Sequence, residues 1–312
     1  MMIRSVHSRY PERRRPGADG ACAVDGPRAW PWRAVSRTAI ALLVAALPSL
    51  MAPVSRGSDP LEDEAEEPDT TDISASVVLP ATGEHEVLPA VTEPFGAGEK
   101  LRFSVQYGFV HAGTAYLEVP EVKNWNGHEV YTFRATAKSN AFFSVIYKVR
   151  NRIESYWDKG GQFSRRYHEN RREGGYKKNE EILFEHDLRE ARYSDGQVYA
   201  IPPHVQDALS SFYYARYQAL PLGGSIFFDY HASRKSKPLE IKVLGRETVK
   251  TPAGKFDCVV IEPMLKAGGI FKKSGRLVIW LTNDERRLPV LMKSKVTIGS
   301  ISVVLQEAKL GA

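Results

Sequence analysis

A period of two constrains this chain more than any other feature. Leu101, Phe103, Val105 and Tyr107 share one face, while Arg102, Ser104 and Gln106 share the other. That alternation marks a half-buried strand. It returns at 130–137, where Tyr131, Phe133 and Ala135 alternate with Thr132, Arg134 and Thr136. Further strands are predicted over 114–122, 149–157, 163–170, 180–185, 190–193, 226–230, 239–249, 256–263, 275–281, 290–296 and 301–309. Turn residues separate them, including Asn126-Gly127, which supplies positive φ, and Gly174-Gly175. Many short strands at close spacing predict a mainly antiparallel β fold: a large curved sheet, an open barrel or a sandwich. The repeated helices of a βαβ architecture are missing.

One short helix is expected around 204–218. Asp207 can cap it, and Ala208, Leu209, Phe212, Tyr213 and Arg216 recur at helical spacing before Pro221. Residues 140–147 suit either one helical turn or an edge segment.

The N-terminal third reads differently. The apolar run 39–47 follows Arg33 and Arg37 and is broken by Pro48. It is shorter than the roughly 20 residues that span a bilayer, so it reads as the core of an export signal. Residues 1–57 are then a signal peptide and leader, whose length fits a start downstream of Met1. The expected location is the periplasm, with an inner-membrane anchor through 38–52 as the alternative. Residues 58–92 hold ten acidic and no basic residues and few large apolar groups. They read as an acidic disordered linker. Residues 93–312 form the β-rich domain.

Charge follows these segments: +6, −10 and +10 in chain order. Without the leader the sum is zero, so the basic pI gives no argument for nucleic acid. The two cysteines, Cys22 and Cys258, exclude a Cys-x-x-Cys zinc site. No internal disulfide is expected once the leader is removed.

Catalytic motifs are weak. His168-Glu169 lacks the second histidine of the helical zinc-protease motif, Arg172 standing in its place. His204, Asp207, Ser210 and Ser211 are close in sequence, but the serines lack the Gly-x-Ser-x-Gly elbow. Cys258 alternates with Phe256 and Val260, as a small buried hydrophobe does. No catalytic residue, metal or cofactor is expected.

Two clusters remain. Arg165, Arg166, Arg171 and Arg172, with Lys177 and Lys178, surround one predicted hairpin beside Tyr167 and Tyr176. Lys272-Lys273 and Arg286-Arg287 add positive charge. Such cations can meet anionic headgroups, or form a solvated face that keeps sheet edges apart. Phe142, Phe143, Phe212, Tyr213 and Tyr217 concentrate in the least strand-like segments. A curved sheet closed by a helix can enclose an apolar pocket, and in a dry core the same rings simply pack.

The block from Gly98 onward resembles the DUF3108 family of exported Gram-negative proteins without assigned activity. The resemblance rests on Gly108-Phe109-Val110-His111-Ala112-Gly113, Ala137-Lys138-Ser139-Asn140 and the run Tyr147 to Ser155. It continues in Arg172-Glu173-Gly174, Gln206-Asp207-Ala208-Leu209-Ser210 and Val243-Leu244-Gly245-Arg246-Glu247. Thr251-Pro252-Ala253-Gly254-Lys255-Phe256 and Ile279-Trp280-Leu281-Thr282-Asn283-Asp284 complete it. It implies an exported β-rich domain and supplies no catalytic residues.

The functional expectation is a non-enzymatic envelope protein that binds a lipid, glycolipid or other envelope component. Phe142, Phe143, Phe212, Tyr213 and Tyr217 would line an apolar pocket. Arg165, Arg166, Arg171 and Arg172 would form its basic rim, with peripheral membrane contact. The alternatives are a scaffold domain that binds an envelope protein or glycan through a sheet edge, and an uncharacterised hydrolase.

Overall fold

The computed structural model describes residues 86–265, 276–295 and 299–312. The predicted leader, residues 58–85 of the predicted linker and Lys272-Lys273 lie outside these residues. The described residues begin at Glu86, within the predicted linker. Strand β1 (Val87–Leu88) precedes β2 (Glu99–Tyr107), β3 (Val110–Val119), β4 (Val122–Trp125) and β5 (His128–Ser139). Helix α1 (Ala141–Ile146) leads to β6 (Val149–Asp158), β7 (Ser164–Glu173), β8 (Tyr176–Glu185), β9 (Glu190–Tyr193) and β10 (Val198–Ala200). Helix α2 (Ser210–Tyr217) and β11 (Leu220–Pro221) follow, then β12 (Ser225–Ala232), β13 (Lys235–Thr251) and β14 (Gly254–Leu265). The chain ends in β15 (Leu277–Thr282), β16 (Pro289–Lys295) and β17 (Ser300–Lys309).

One antiparallel sheet carries nearly all of this. Its order is β10-β9-β8-β7-β6-β5-β3-β2-β17-β16-β15-β14-β13-β12, with β4 paired to β5. The sheet is not closed by a backbone ladder, which matches the expected mainly β architecture. Its two ends are bridged by side chains. The Tyr193 hydroxyl of β9 is hydrogen-bonded to His231 Nε2 of β12 at 2.9 Å. Arg234, in the β12–β13 turn, bonds to Tyr199 and Asp195.

In a meander of this kind successive turns alternate between two rims. The β2–β3 turn, the β5–β6 connection with α1, and the β7–β8 turn share the first rim. The opposite rim is filled by α2, the segment before it and the N-terminal approach. Ser164 N–H bonds to the Val205 carbonyl, and Gln206 pairs with the Asp229–His231 backbone. Residues 86–91 are held there too. β1 pairs with β11, and Val91 N–H reaches the Tyr217 carbonyl.

Helix α2 is shorter than the expected 204–218. His204 has φ +54°, which a helix does not tolerate. Gln206 is already committed to β12. The turn then starts at Asp207, whose carboxylate accepts the N–H groups of Leu209 and Ser210 at 2.7 and 2.8 Å. That satisfies amides a new helix leaves unpaired. Gln218 is extended and ends it.

Candidate functional site

Helix α2 divides the interior. One face carries Tyr213, Arg216 and Tyr217, all buried. Tyr213 stacks on Phe133 with ring centroids 3.9 Å apart, and Phe95 sits edge-on to Tyr213 and Tyr217 at 5.2 Å. Trp157 closes the group, 5.5 Å from Tyr217. Offset and edge-to-face contacts of this kind add to the burial of the rings. Arg216 is fixed beneath them by Glu99 and by the carbonyls of Pro94 and Arg286.

The other face of α2 borders a cavity of about 70 Å³. Leu209, Phe212 and Ala215 line it from the helix. Facing them are inward positions of β13 to β17, among them Ile241, Ile261 and Met292, and Phe103, Leu117 and Ile153 of β2, β3 and β6. The wall is almost wholly apolar, with Ser211 as its one polar residue. Leu277, the first residue of β15, and Pro263, near the end of β14, carry the cavity toward the first rim.

Of the five predicted aromatic residues, only Phe212 lines this cavity. Tyr213 and Tyr217 belong to the aromatic packing on the opposite helix face. Phe142 and Phe143 lie on α1 at the first rim, in contact with each other at 5.6 Å. Phe142 is exposed and Phe143 is half-buried.

The four predicted arginines are separated by the pleat. Arg171 points inward, is buried, and holds Glu173 through two bonds of 3.0 and 2.9 Å. Asn151 donates to the same carboxylate at 2.6 Å. Arg165 bonds to Asp158, and Arg166 to Glu181. Arg172 alone of the four has no acidic partner among the described residues, and it is exposed. The inward lining of β13 to β17 was missed by sequence reasoning. Its signal was the shared parity of Leu239, Ile241 and Val243 with the apolar positions of their neighbours.

Several interior polar groups are engaged with one another, while the buried Tyr230 hydroxyl has no hydrogen-bond partner among the described residues. Ser155 donates to the Asp207 carboxylate at 2.6 Å, and Ser164 and Ser210 join their hydroxyls at 2.6 Å. Burial holds the Asp207 carboxyl above its ordinary range, against the bonds from Ser155 and the Ser210 amide. His204 instead bonds to the Gly161 carbonyl, so the sequence neighbours His204, Asp207 and Ser210 do not form a relay. His168 pairs with Asn179 on the outer face. Burial pushes the Cys258 thiol up to about 12, the environment of a packed rather than reactive sulfur. Among the described residues no three potential metal ligands cluster, and no helix is long and apolar enough to cross a membrane.

Solved structures show similar chains. A β-barrel-like DUF1849 protein of Brucella abortus is 11% identical, with TM-score 0.48 over 72% of this chain and 100% of its own. A candidate lipoprotein of Parabacteroides distasonis gives 11% identity and TM-score 0.31, covering 71% and 99% of the two chains. A Bacteroides fragilis protein with a YmcC-like fold gives 13% and 0.32, covering 70% and 99%. No curated protein matches the sequence. The pattern described as "Protein of unknown function (DUF3108)" matches residues 102–306, most of the β-rich domain, and the chain therefore belongs to the DUF3108 family.

Proposed function

We propose that this protein is a non-enzymatic binder of a lipid-class ligand in the cell envelope, holding hydrocarbon between α2 and the inner face of β13 to β17. The observation that carries the reading is the aliphatic cavity beside Phe212. An engineered apolar cavity of about 150 Å³ takes up benzene, and this one is about half that size. Entry of a hydrocarbon therefore requires Phe212 to swing aside. Its half-buried position, unlike that of Tyr213, leaves it room to do so.

Binding through a sheet edge has less support. Strand β10 is only three residues long, and β12 already receives Gln206. A short or covered edge is a poor template for another strand.

The test is fluorescence of N-phenyl-1-naphthylamine with the full chain and its displacement by palmitate. Ala215→Leu fills the cavity, and Ala208→Leu narrows it from a half-buried position. The expected result is saturable probe binding that palmitate reverses and that both variants weaken at least tenfold. Unchanged binding in both folded variants would overturn the reading.

A further inference from the structure

The first rim carries exposed apolar groups on three separate projections. Phe109 and Val110 stand on the β2–β3 turn, Phe142, Val145 and Ile146 on α1, and Tyr176 at the β7–β8 turn. The projections are tied together. Asn140 donates from Nδ2 to the His111 carbonyl at 2.6 Å, and Gly174 N–H bonds to the Lys148 carbonyl at 2.8 Å. Helix α1 contributes no buried residue at all. A six-residue helix with Phe142, Val145 and Ile146 in solvent gains nothing for the core from those three.

A row of cations lies directly behind these tips, on the outer face. The register places Lys138 opposite Arg150, Arg150 opposite Arg172, and Arg172 opposite Lys177. All four are exposed and have no ion-pair partner among the described residues. Like charges facing each other across strands destabilise a sheet. The charges farther from the rim are arranged oppositely: Arg134 and Arg152 both bond to Glu154, and Arg166 bonds to Glu181. Across β5 to β8 the unmatched charge thus lies next to the apolar tips. Lys138, Arg150, Arg152 and Arg172 also border a shallow groove of about 640 Å³.

We propose that this rim docks on an anionic phospholipid bilayer, the apolar tips entering the interface and the Lys138–Arg150–Arg172–Lys177 row meeting headgroup phosphates. Convex apolar points backed by a cationic band complement such a surface, which is negative outside and apolar beneath. The row lacks carboxylates of its own, and the lipid phosphates supply the missing counter-charge. The inference is independent of the cavity: docking needs only exposed groups at the first rim and on the outer face of the sheet.

The experiment is flotation of the full chain with vesicles of phosphatidylcholine alone or with 30% phosphatidylglycerol. The apolar run at 39–47 is common to every variant, so ratios between variants report on the rim. The expected wild-type result is strong binding to the anionic vesicles that salt weakens. K138Q/R150Q/R172Q/K177Q should bind them at least a hundredfold less, at roughly fivefold per cation. It should melt no lower than the wild type. F109S/F142S/V145S should also lose binding, and Phe142→Trp should shift its emission to the blue on anionic vesicles. Undiminished binding by the glutamine variant, or equal wild-type binding to both vesicle types, would overturn the proposal. A lipid-free wild-type dimer that the serine variant converts to monomer would also overturn it, assigning the patch to a second copy of the chain.

Discussion

Arg216 of α2 and Glu99 of β2 are both buried, and they meet through two hydrogen bonds of 2.7 and 2.9 Å. The pair fastens the interior helix to the start of the domain. Two further carbonyls, from Pro94 and Arg286, accept from the same guanidinium. Removing one partner strands a charge in a medium that solvates it poorly. Glu99→Gln should therefore cost about 3–5 kcal/mol, read as a fall in the urea midpoint. A loss below about 1 kcal/mol would mean that water reaches Arg216.

The side-chain closure of the sheet should be sensitive to acid. The Arg234 amide donates to Tyr193 Oη at 2.9 Å, so the tyrosine proton goes to His231 Nε2. His231 Nδ1 then donates to Ser236. Burial lowers the His231 pKa to about 4. Between pH 6.5 and about 4 the unfolded chain takes up a proton that the folded chain refuses, so stability falls as pH falls through that window. The loss should approach about 3 kcal/mol. His231→Gln should flatten the slope of stability against pH over the same window.

Asp207 links three parts of the fold. It caps α2, accepts from Ser155 of β6, and through its own amide bonds to Ser164 of β7 at 2.7 Å. Asp207→Ala removes the cap and leaves Ser155 without its acceptor, at a cost of about 1–3 kcal/mol. Asp207→Asn keeps the acceptor oxygen and should cost less. Urea unfolding of the two variants gives the comparison. Equal losses would contradict the capping account.

Cys258 should resist alkylation. It is buried in β14, and its thiol is held up to about 12 by that burial, so little thiolate forms at pH 8. Iodoacetamide at pH 8 should leave the Cys258 peptide unmodified in the native chain and modify it in urea. Rapid native labelling would show that this part of the sheet opens.

The strand pattern was largely visible because one face is dry and the other wet. The expected strand at 190–193 coincides with β9, and 149–157 with β6 to within one residue. Pleat parity also separates Arg171 from Arg172, although their adjacency suggested one basic cluster. The edges were less legible. β1 and β11 are two-residue strands that form only by pairing with each other. Nor does local pattern reveal Gln206 crossing to β12, and that commitment shortens α2. The cavity was hidden for a related reason. Phe212, Tyr213 and Tyr217 look alike in sequence, but a helix sends them to different faces, and only the walls around it decide which face is filled.

The most direct test of the account is native mass spectrometry, with lipid extraction, of the full chain purified without detergent from the envelope of an expression host. The account predicts a bound lipid at one per chain that Ala215→Leu reduces. A lipid-free mass for a folded wild-type chain, together with no uptake when palmitate and phospholipid are added, would contradict it.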